Sequence, residues 1–345
     1  MAASIKEVAR QAGVSLGTVS NVLNRPDMVS PMTRQRVLDA IAELGFVRND
    51  SARQLRAGRS RTVAIVVLDV SNPFFTDVVR GAEEIVEAAG GIVVVCNSGG
   101  DPAREQRHLD ILEEQRVQGI LVSPVNDGRQ PRLNSLAERG IPVVLVDRGA
   151  GSASQCSVAV DDLRGGRLAA EHLLDRGHRK VAFVGGPMSL RQVADRRAGL
   201  EAGLADRGAP GPRIVETPAL SVSAGRAAAD ELATMAAGRR PTAIFCANDL
   251  LALGVLQGLT ARGLRVPDDV ALLGYDDIEF AAGAAVPLSS VRQPREQLGR
   301  TAAQLLLEES TDRDHHQHRH VVFQPELVER ESTDHRRVPS RSGSR

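Results

Sequence analysis

The sequence predicts a mixed α/β chain in two parts: a small three-helix headpiece containing a helix-turn-helix, and a large body of two lobes, each a doubly wound parallel sheet. Three observations carry this. The first sixty residues hold short helical stripes with starts and stops and no strand pattern. From residue 61 onward, short apolar runs alternate with helical stretches through two successive halves. Charge is also divided unevenly between the two parts. At 345 residues the chain exceeds one domain of about 100 to 200 residues. With 42% hydrophobic and 25% charged residues its composition is ordinary globular usage.

In the head, Ser4 and Glu7 have capping-box spacing, and Ile5, Val8, Ala9 and Ala12 form a stripe that stops at Gly13. Ser15 then caps a second helix, with Leu16, Val19, Val22 and Leu23 on its apolar side and Thr18, Ser20, Asn21 and Asn24 outward. Two short helices joined by a glycine-containing turn make a helix-turn-helix. Ser30 and Pro31 open a third helix that turns Val37, Leu38, Ile41 and Leu44 inward and stops at Gly45. Plain helix packing gives the same hairpin pattern. The Ser, Thr and Asn on the outer face of the second helix add what suits a major groove, groups that reach phosphates and base edges. Residues 49–58 follow as a short capped helix with basic residues beside Leu55, too short to be stable unless docked.

Residues 1–60 carry nine bases against five acids, whereas the remainder carries 34 against 38 under a net charge of zero. A basic head on a mildly acidic body fits a head that meets a polyanion, although a merely solvated charged face gives the same count.

In the body, TVAIVVL, GIVVVC, GILVSP, PVVLVD, VAFVGG, TAIFCA and VALLGY read as buried parallel strands with helical crossovers. They fall in halves of about 61–160 and 161–290, and two such lobes leave a cleft outside the carboxyl ends of their strands. The residues there are polar: Asp69 and Asn72 with Phe74 and Phe75, Asp147 with Arg148, Asn248 with Asp249, and Asp276 with Asp277. Carboxylates, amides and an arginine beside aromatics suit a polyol. Strand-end Asp and Asn equally serve as helix caps, the reading taken for Asp249.

The runs IKEVARQAGVSLGTVSNVLN, VSPMTRQRVLDAIAELGF and SARQLRAGRS together resemble the headpiece and hinge of the lactose-repressor family. The resemblance implies that Leu16, Gly17 and Asn21 read bases, while Ser15, Thr18 and Ser20, with Asn24 nearby, hold phosphates or the helix start. It also implies that Leu55 and its symmetry mate wedge into the minor groove beside Arg56. The motifs SNPFF, VDR, CAND, GYDD and RQP resemble the family's effector core and the periplasmic sugar-binding proteins, the ribose-binding group above all. That similarity implies ligand contacts from Asn72, Phe74, Phe75, Asp147, Arg148, Arg196, Asn248, Asp276 and Gln293. Where relatives carry a stacking aromatic near TPALSVS, this chain has Ala219 and Leu220.

The implied protein is a homodimeric transcription regulator, most simply a repressor, whose affinity for a pseudo-palindromic double-stranded operator is set by a small ligand, a sugar such as ribose. A purine or phosphorylated co-repressor is the alternative. Its expected divisions are a headpiece at 1–48, a hinge helix and linker at 49–60, a two-lobed effector core at 61–330 and a disordered tail at 331–345.

The competing classes are a sugar carrier, an enzyme and an architectural DNA protein. A carrier has no use for the head, and an enzyme needs a nucleophile, base or metal constellation that the cleft candidates lack. GGPMSL fits neither a dinucleotide fingerprint nor a phosphate loop, so no cofactor is expected. His315, His316, His318 and His320 crowd one segment, but no cysteine or carboxylate spacing closes a metal site, and the segment reads as a solvated loop. His178 reads as a helix closure. Cys96, Cys156 and Cys246 read as buried free thiols in a reducing compartment, and with no secretion signal or membrane-spanning run the expected location is the cytoplasm.

Overall fold

The Ser4 hydroxyl accepts the backbone N–H of Glu7 while the Glu7 carboxylate accepts that of Ser4, and this capping box starts helix α1 (Ile5–Gln11). The hydroxyls of Ser15 and Ser30 cap α2 (Leu16–Asn24) and α3 (Pro31–Leu44) by accepting the backbone N–H of Thr18 and Thr33, and left-handed Gly13 and Gly45 end the first and third helices. The three helices close on Val8, Ala9, Ala12, Val19, Val22, Val37 and Ala40. The Arg36 guanidinium donates to the carbonyls of Ala12 and Gly13, tying α3 to the turn of the helix-turn-helix. Leu38, expected inside, is 40% exposed. The inward stripe runs Val37, Ala40, Ile41, Leu44, and Leu38 lies about 100° round the helix from its start.

The computed structural model describes residues 3–46, 60–126, 131–149 and 154–334. Leu55 and Arg56 therefore lie outside the described residues. By its internal contacts the chain divides into Met1–Arg59 and Ser60–Arg345.

The body begins with β1 (Thr62–Val67), α4 (Pro73–Ala88), β2 (Ile92–Asn97), α5 (Pro102–Glu114), β3 (Gly119–Val122), α6 (Pro131–Glu138), β4 (Val143–Val146) and β5 (Cys156–Val160). There follow α7 (Asp162–Asp175), β6 (Val181–Gly185), α8 (Arg191–Asp206), β7 (Arg213–Glu216), α9 (Val222–Ala233), β8 (Ala243–Cys246), α10 (Asp249–Ala261), β9 (Ala271–Asp276), α11 (Glu279–Ala282) and β10 (Ser289–Arg292). The last elements are α12 (Arg295–Thr311), β11 (His320–Phe323), β12 (Glu326–Val328) and a 3₁₀ turn at Glu331–Thr333.

The first sheet, in the order β11-β5-β4-β3-β1-β2, is parallel throughout; the second, β12-β10-β9-β8-β6-β7, is parallel except for β12. All seven predicted strand runs are strands. The strand-like run HVVFQP forms β11, while β5, β7, β10 and β12 were not anticipated, RIVE, SSVR and ELV being too short and polar to stand out.

The halves are not sequential as expected. The chain leaves the first lobe after β5, returns after β10 as α12 and β11, and crosses again to β12. The physical reason is the apolar face of α12: Leu298, Ala302, Ala303, Leu305 and Leu306 belong to the first lobe's core, and Gly81 and Gly299 let α4 and α12 approach to backbone contact. Strand β2, expected to be buried, is a sheet edge with Ile92, Val94 and Val95 exposed. The expected tail also begins too early at 331. Ser332 and Thr333 are fully buried, bonded to Ser289, Leu272 and His172. No described helix is long and apolar enough to cross a membrane.

Candidate functional site

The carboxyl ends of the parallel strands in the two lobes face one cavity of about 410 Å³. Asn72, Phe74, Phe75 and Asp147 of the first lobe and Arg196, Asn248 and Asp276 of the second stand in its wall, seven of the nine predicted ligand contacts. Asn72 and Asn248 are N-caps as well, of α4 and α10, so the capping and binding readings coincide in the same side chains. Phe74 and Phe75 meet edge to face at 5.0 Å, the one aromatic pair of the wall among the described residues. Asp147 and Asp276 hold left-handed φ of 58° and 102°, and Asp277 follows at 52°. Non-glycine residues pay for that conformation, and such strain gathers at functional sites.

The second-lobe wall is organised by Arg196, which is 3% exposed. Its Nε donates to Asp162 at 2.8 Å, its Nη1 donates to the Ala247 carbonyl at 2.8 Å and lies 3.7 Å from the Asp276 carboxylate, and its guanidinium stacks over the Tyr275 ring. The Tyr275 hydroxyl donates to the same Asp162 oxygen at 2.8 Å. Burial, the largest influence, opposes the charge on Arg196, but Asp162, Tyr275 and Asp276 outweigh it and hold its pKa above the ordinary value. Burial also pushes Asp276 up to about 6, against Arg196 and the Gln293 amide, which donates to it at 2.7 Å. Asp147 is driven well above the usual carboxylate range by burial and by the nearby charge of Asp162. One of its oxygens accepts from Gln192 at 3.1 Å, while the other is buried and accepts no hydrogen bond. A buried acceptor left open on a cavity wall is what a hydroxyl-bearing ligand would satisfy.

Two predicted contacts stand elsewhere. Arg148 is not in the cavity wall, and its guanidinium donates to the Asn126 carbonyl. Gln293 lies behind Asp276 and orients it. Asp249 is not the cap expected: Asn248 caps α10, and Asp249 is fully buried, accepting from the Ile278 N–H and the Ser290 hydroxyl.

Sequence reasoning missed Asp162, which anchors Arg196, and Gln192, whose bond to Asp147 joins the lobes. It also read GGPMSL as bland, whereas Pro187, Ser189 and Leu190 line the cavity beside the Pro218, Ala219 and Leu220 segment. No spacing rule marks these positions. Arg295 joins the lobes too, donating to the carbonyls of Asp276 and Asp277 while pairing with Asp77 at 2.8 Å. His178 does close its helix, donating from its backbone to Leu173 and pairing its ring with Thr242.

On the head, Leu16 is 45% exposed at the start of α2 and Gly17 and Asn21 are exposed beside it, while Ser15 and Thr18 bond each other at the cap. Asn24 donates back to the Ser20 carbonyl and hydroxyl. The exposed start of the helix is thus small and largely without side-chain donors, apart from Asn21. The histidine segment is mostly the surface loop expected, with His315 and His320 exposed, and departs from that reading at His316. The His316 side chain is 6% exposed and touches Cys156, a residue distant in sequence.

Residues 4–49 match the family described as bacterial regulatory proteins, lacI family, and residues 170–333 match the periplasmic binding protein-like domain. The chain is 36% identical over 340 residues to an HTH-type transcriptional repressor PurR of Aliivibrio fischeri (strain ATCC 700601 / ES114), covering 97% of this chain and 99% of that one. The chain belongs to the lacI family. It is accordingly a DNA-binding transcription regulator with an effector-binding body, the resemblance first seen in its head and cleft motifs. Among solved structures it resembles the lac repressor dimer bound to operator and the anti-inducer ONPF, at TM-score 0.82 and 28% identity over 96% of this chain and 99% of that one. It also resembles a LacI family regulator from Enterococcus faecium with bound ribose, at TM-score 0.72 and 28% identity over 79% of this chain and 98% of that one.

Proposed function

We propose that this lacI-family regulator is a cytoplasmic homodimeric repressor whose operator affinity is set by a sugar of about the size of ribose, held between the two lobes of its body. The observation that carries the ligand class is a fork of buried donors on the same wall as an open acceptor, the unbonded oxygen of Asp147. Arg196, Asn248 and the Asn72 side chain supply donors, and Asp147 and Asp276 supply acceptors, around the Phe74–Phe75 pair. Such a wall matches a ring that carries hydroxyls on its rim and C–H surface on its face. With Ala219 and Leu220 where a second aromatic would lie, the wall offers no sandwich for a flat purine, which favours the sugar over the purine alternative. The cavity's chemistry is that of binding: its acidic and amide groups are engaged with one another and with Arg196 rather than paired with a nucleophile.

In this reading Leu16, Gly17 and Asn21 face base pairs, Ser15, Thr18 and Ser20 hold phosphates and the helix start, and Leu55 with Arg56 enters the minor groove. Two heads of a dimer meet two half-sites of a pseudo-palindrome. The exposed apolar edge of β2, with Ile92, Val94 and Val95, supports a surface covered by the second copy. The ligand acts by favouring one arrangement of the lobes. The bonds that span the cleft, Gln192 to Asp147 and Arg295 to the Asp276 and Asp277 carbonyls, are the contacts whose making and breaking distinguishes the arrangements.

The test is calorimetric titration of the full chain with a panel of pentoses, hexoses, disaccharides and purines, begun with ribose. Binding of a sugar, abolished in Asp276→Asn and Arg196→Ala, supports the reading. A purine binding while every sugar stays silent would overturn the ligand class and leave the regulator intact.

A further inference from the structure

Outside the cleft, the amino-terminal end of β5, the last turns of α12 and the segment leading into β11 bring four metal-binding side chains together. Cys156 Sγ lies 3.1 Å from His316 Nε2 and 3.8 Å from His318 Nδ1. Glu309 Oε2 lies 4.0 Å from the first of those nitrogens and 3.9 Å from the second. All four donor atoms fall within 4.8 Å of one another. A tetrahedral zinc ion, with bonds of about 2.3 Å to sulfur and about 2.0 to 2.1 Å to nitrogen or oxygen, sets its donors about 3.3 to 3.6 Å apart, so side-chain shifts of up to about an ångström complete the shell.

An independent observation points to a ligand. Glu309 is 4% exposed, its Oε2 is buried and accepts no hydrogen bond, and that oxygen faces the two imidazoles and the sulfur. A carboxylate oxygen kept from water without a donor costs stability unless something positive meets it. The neighbouring histidines are engaged otherwise: the His320 ring pairs with the Ser157 hydroxyl at 3.1 Å, and exposed His315 pairs with Asp312. The Arg319 backbone N–H points at Cys156 Sγ from 3.4 Å, a donor suited to a thiolate.

We propose that Cys156, Glu309, His316 and His318 form a four-donor site for a borderline divalent cation, zinc above all. One sulfur, two imidazole nitrogens and one carboxylate oxygen in a compact group suit zinc better than magnesium or calcium, which take oxygen shells. Four protein donors leave no open position, so the ion is structural: it ties the segment after α12 to the starts of β5 and β11 in the first lobe. On binding, the Cys156 S–H bond is broken, the sulfur enters the shell as thiolate, the proton passes to solvent and both imidazoles bind neutral.

The experiment is zinc and cobalt titration of the chelator-stripped, full-length protein, with a chromophoric chelator as competitor for zinc. Expected are one tightly held zinc per chain, a thermal midpoint that rises with zinc, and a cobalt complex with visible bands of tetrahedral intensity and a thiolate charge-transfer band in the near ultraviolet. Cys156→Ser should abolish the charge-transfer band. Because Cys156 is buried and its replacement can disturb folding, His318→Ala, at a side chain 28% exposed, is the second variant. It should weaken zinc by more than about 100-fold, the upper end of the cost of losing an outer-shell partner. His315→Ala should leave zinc affinity unchanged. Absence of a tight zinc, a cobalt spectrum without the thiolate band, or equal affinity in wild type and His318→Ala overturns the site.

Discussion

The guanidinium of Arg196 lies 3.7 Å over the ring of Tyr275, and both side chains converge on the same oxygen of Asp162. This arrangement fixes the arginine fork before any ligand arrives. Gly165 makes the arrangement possible, since a Cβ there would collide with the Tyr275 hydroxyl. The cation rests on an aromatic face, its Nε is anchored, and its Nη1 is held between the Ala247 carbonyl and Asp276.

Replacing Arg196 with Ala leaves Asp162 and Asp276 buried without their counter-charge, so the body should lose about 3–5 kcal/mol of stability along with ligand binding. Arg196→Lys keeps the charge but cannot make the fork, the stacking and the carbonyl bond at once. It should therefore abolish ligand binding at a smaller cost in stability. Urea denaturation followed by calorimetry on both variants checks this, and a lysine variant that binds with wild-type affinity would remove the fork from the ligand's contacts.

Asp276 gives a pH dependence with a definite sign. Its folded pKa, about 6, is above the unfolded carboxylate value of 3.8, so the native state holds more protons between these limits. Its contribution to stability is present in full below about pH 4 and is lost as pH rises through 6, amounting to about 3 kcal/mol over two units. Asp147 and Asp249, raised by burial, act in the same direction. Asp276→Asn carries no such titration. The stability of wild type relative to this variant should therefore fall by about 2.4 kcal/mol between pH 4 and pH 7, and a flat difference across that range would contradict the assignment.

Much of this was legible in the sequence because local chemistry and global fold agree. The caps Ser4, Ser15 and Ser30, the stops Gly13 and Gly45, and the seven apolar strand runs each declare themselves within a few residues. Strand-end polar residues declared the cleft for the same reason, since parallel sheets put their binding residues just beyond the strands. What stayed hidden depends on contacts between distant segments. Asp162 and Gln192 gain their meaning only when α7 and α8 meet β9 and β4, and Cys156 stands 160 residues from His316. A sheet that takes back β11 after an excursion through the other lobe leaves no periodic signal of that return.

The buried end of the chain offers a third prediction. The Ser289 N–H and hydroxyl bond Ser332 and Thr333, Thr333 meets His172 at 2.8 Å, and the Ser332 N–H donates to Pro287. Ending the chain at Asp334 keeps these four bonds and the one from the Ser332 hydroxyl to the Leu272 carbonyl, whereas ending it at Arg330 removes all five at roughly 1 kcal/mol each. The shorter chain should unfold about 5 kcal/mol more easily, and the longer one should match wild type in its urea midpoint. Equal midpoints for the two truncations would show that the last turn is not part of the second lobe's folding unit.

On the head, the position of Gly17 separates stability from recognition. A Cβ there would meet only the Ser15 hydroxyl at 3.7 Å, an ordinary contact, so Gly17→Ala fits the helix without strain. Gly17 stands in the first turn of its helix, so alanine there should stabilise the head by at most the roughly 0.5–1 kcal/mol of a helix interior. If Gly17 faces the base pairs, the same methyl group changes the surface presented to them, and one unsuited base-pair contact costs about 1–3 kcal/mol. Affinity for the operator should then fall at least about fivefold while affinity for unrelated DNA, set by phosphate contacts, stays unchanged. Fluorescence anisotropy on operator and scrambled duplexes at one salt concentration, beside the thermal midpoint of the head, measures both effects. A variant that is more stable and binds its operator as wild type does would place Gly17 away from the bases and leave readout to Leu16 and Asn21.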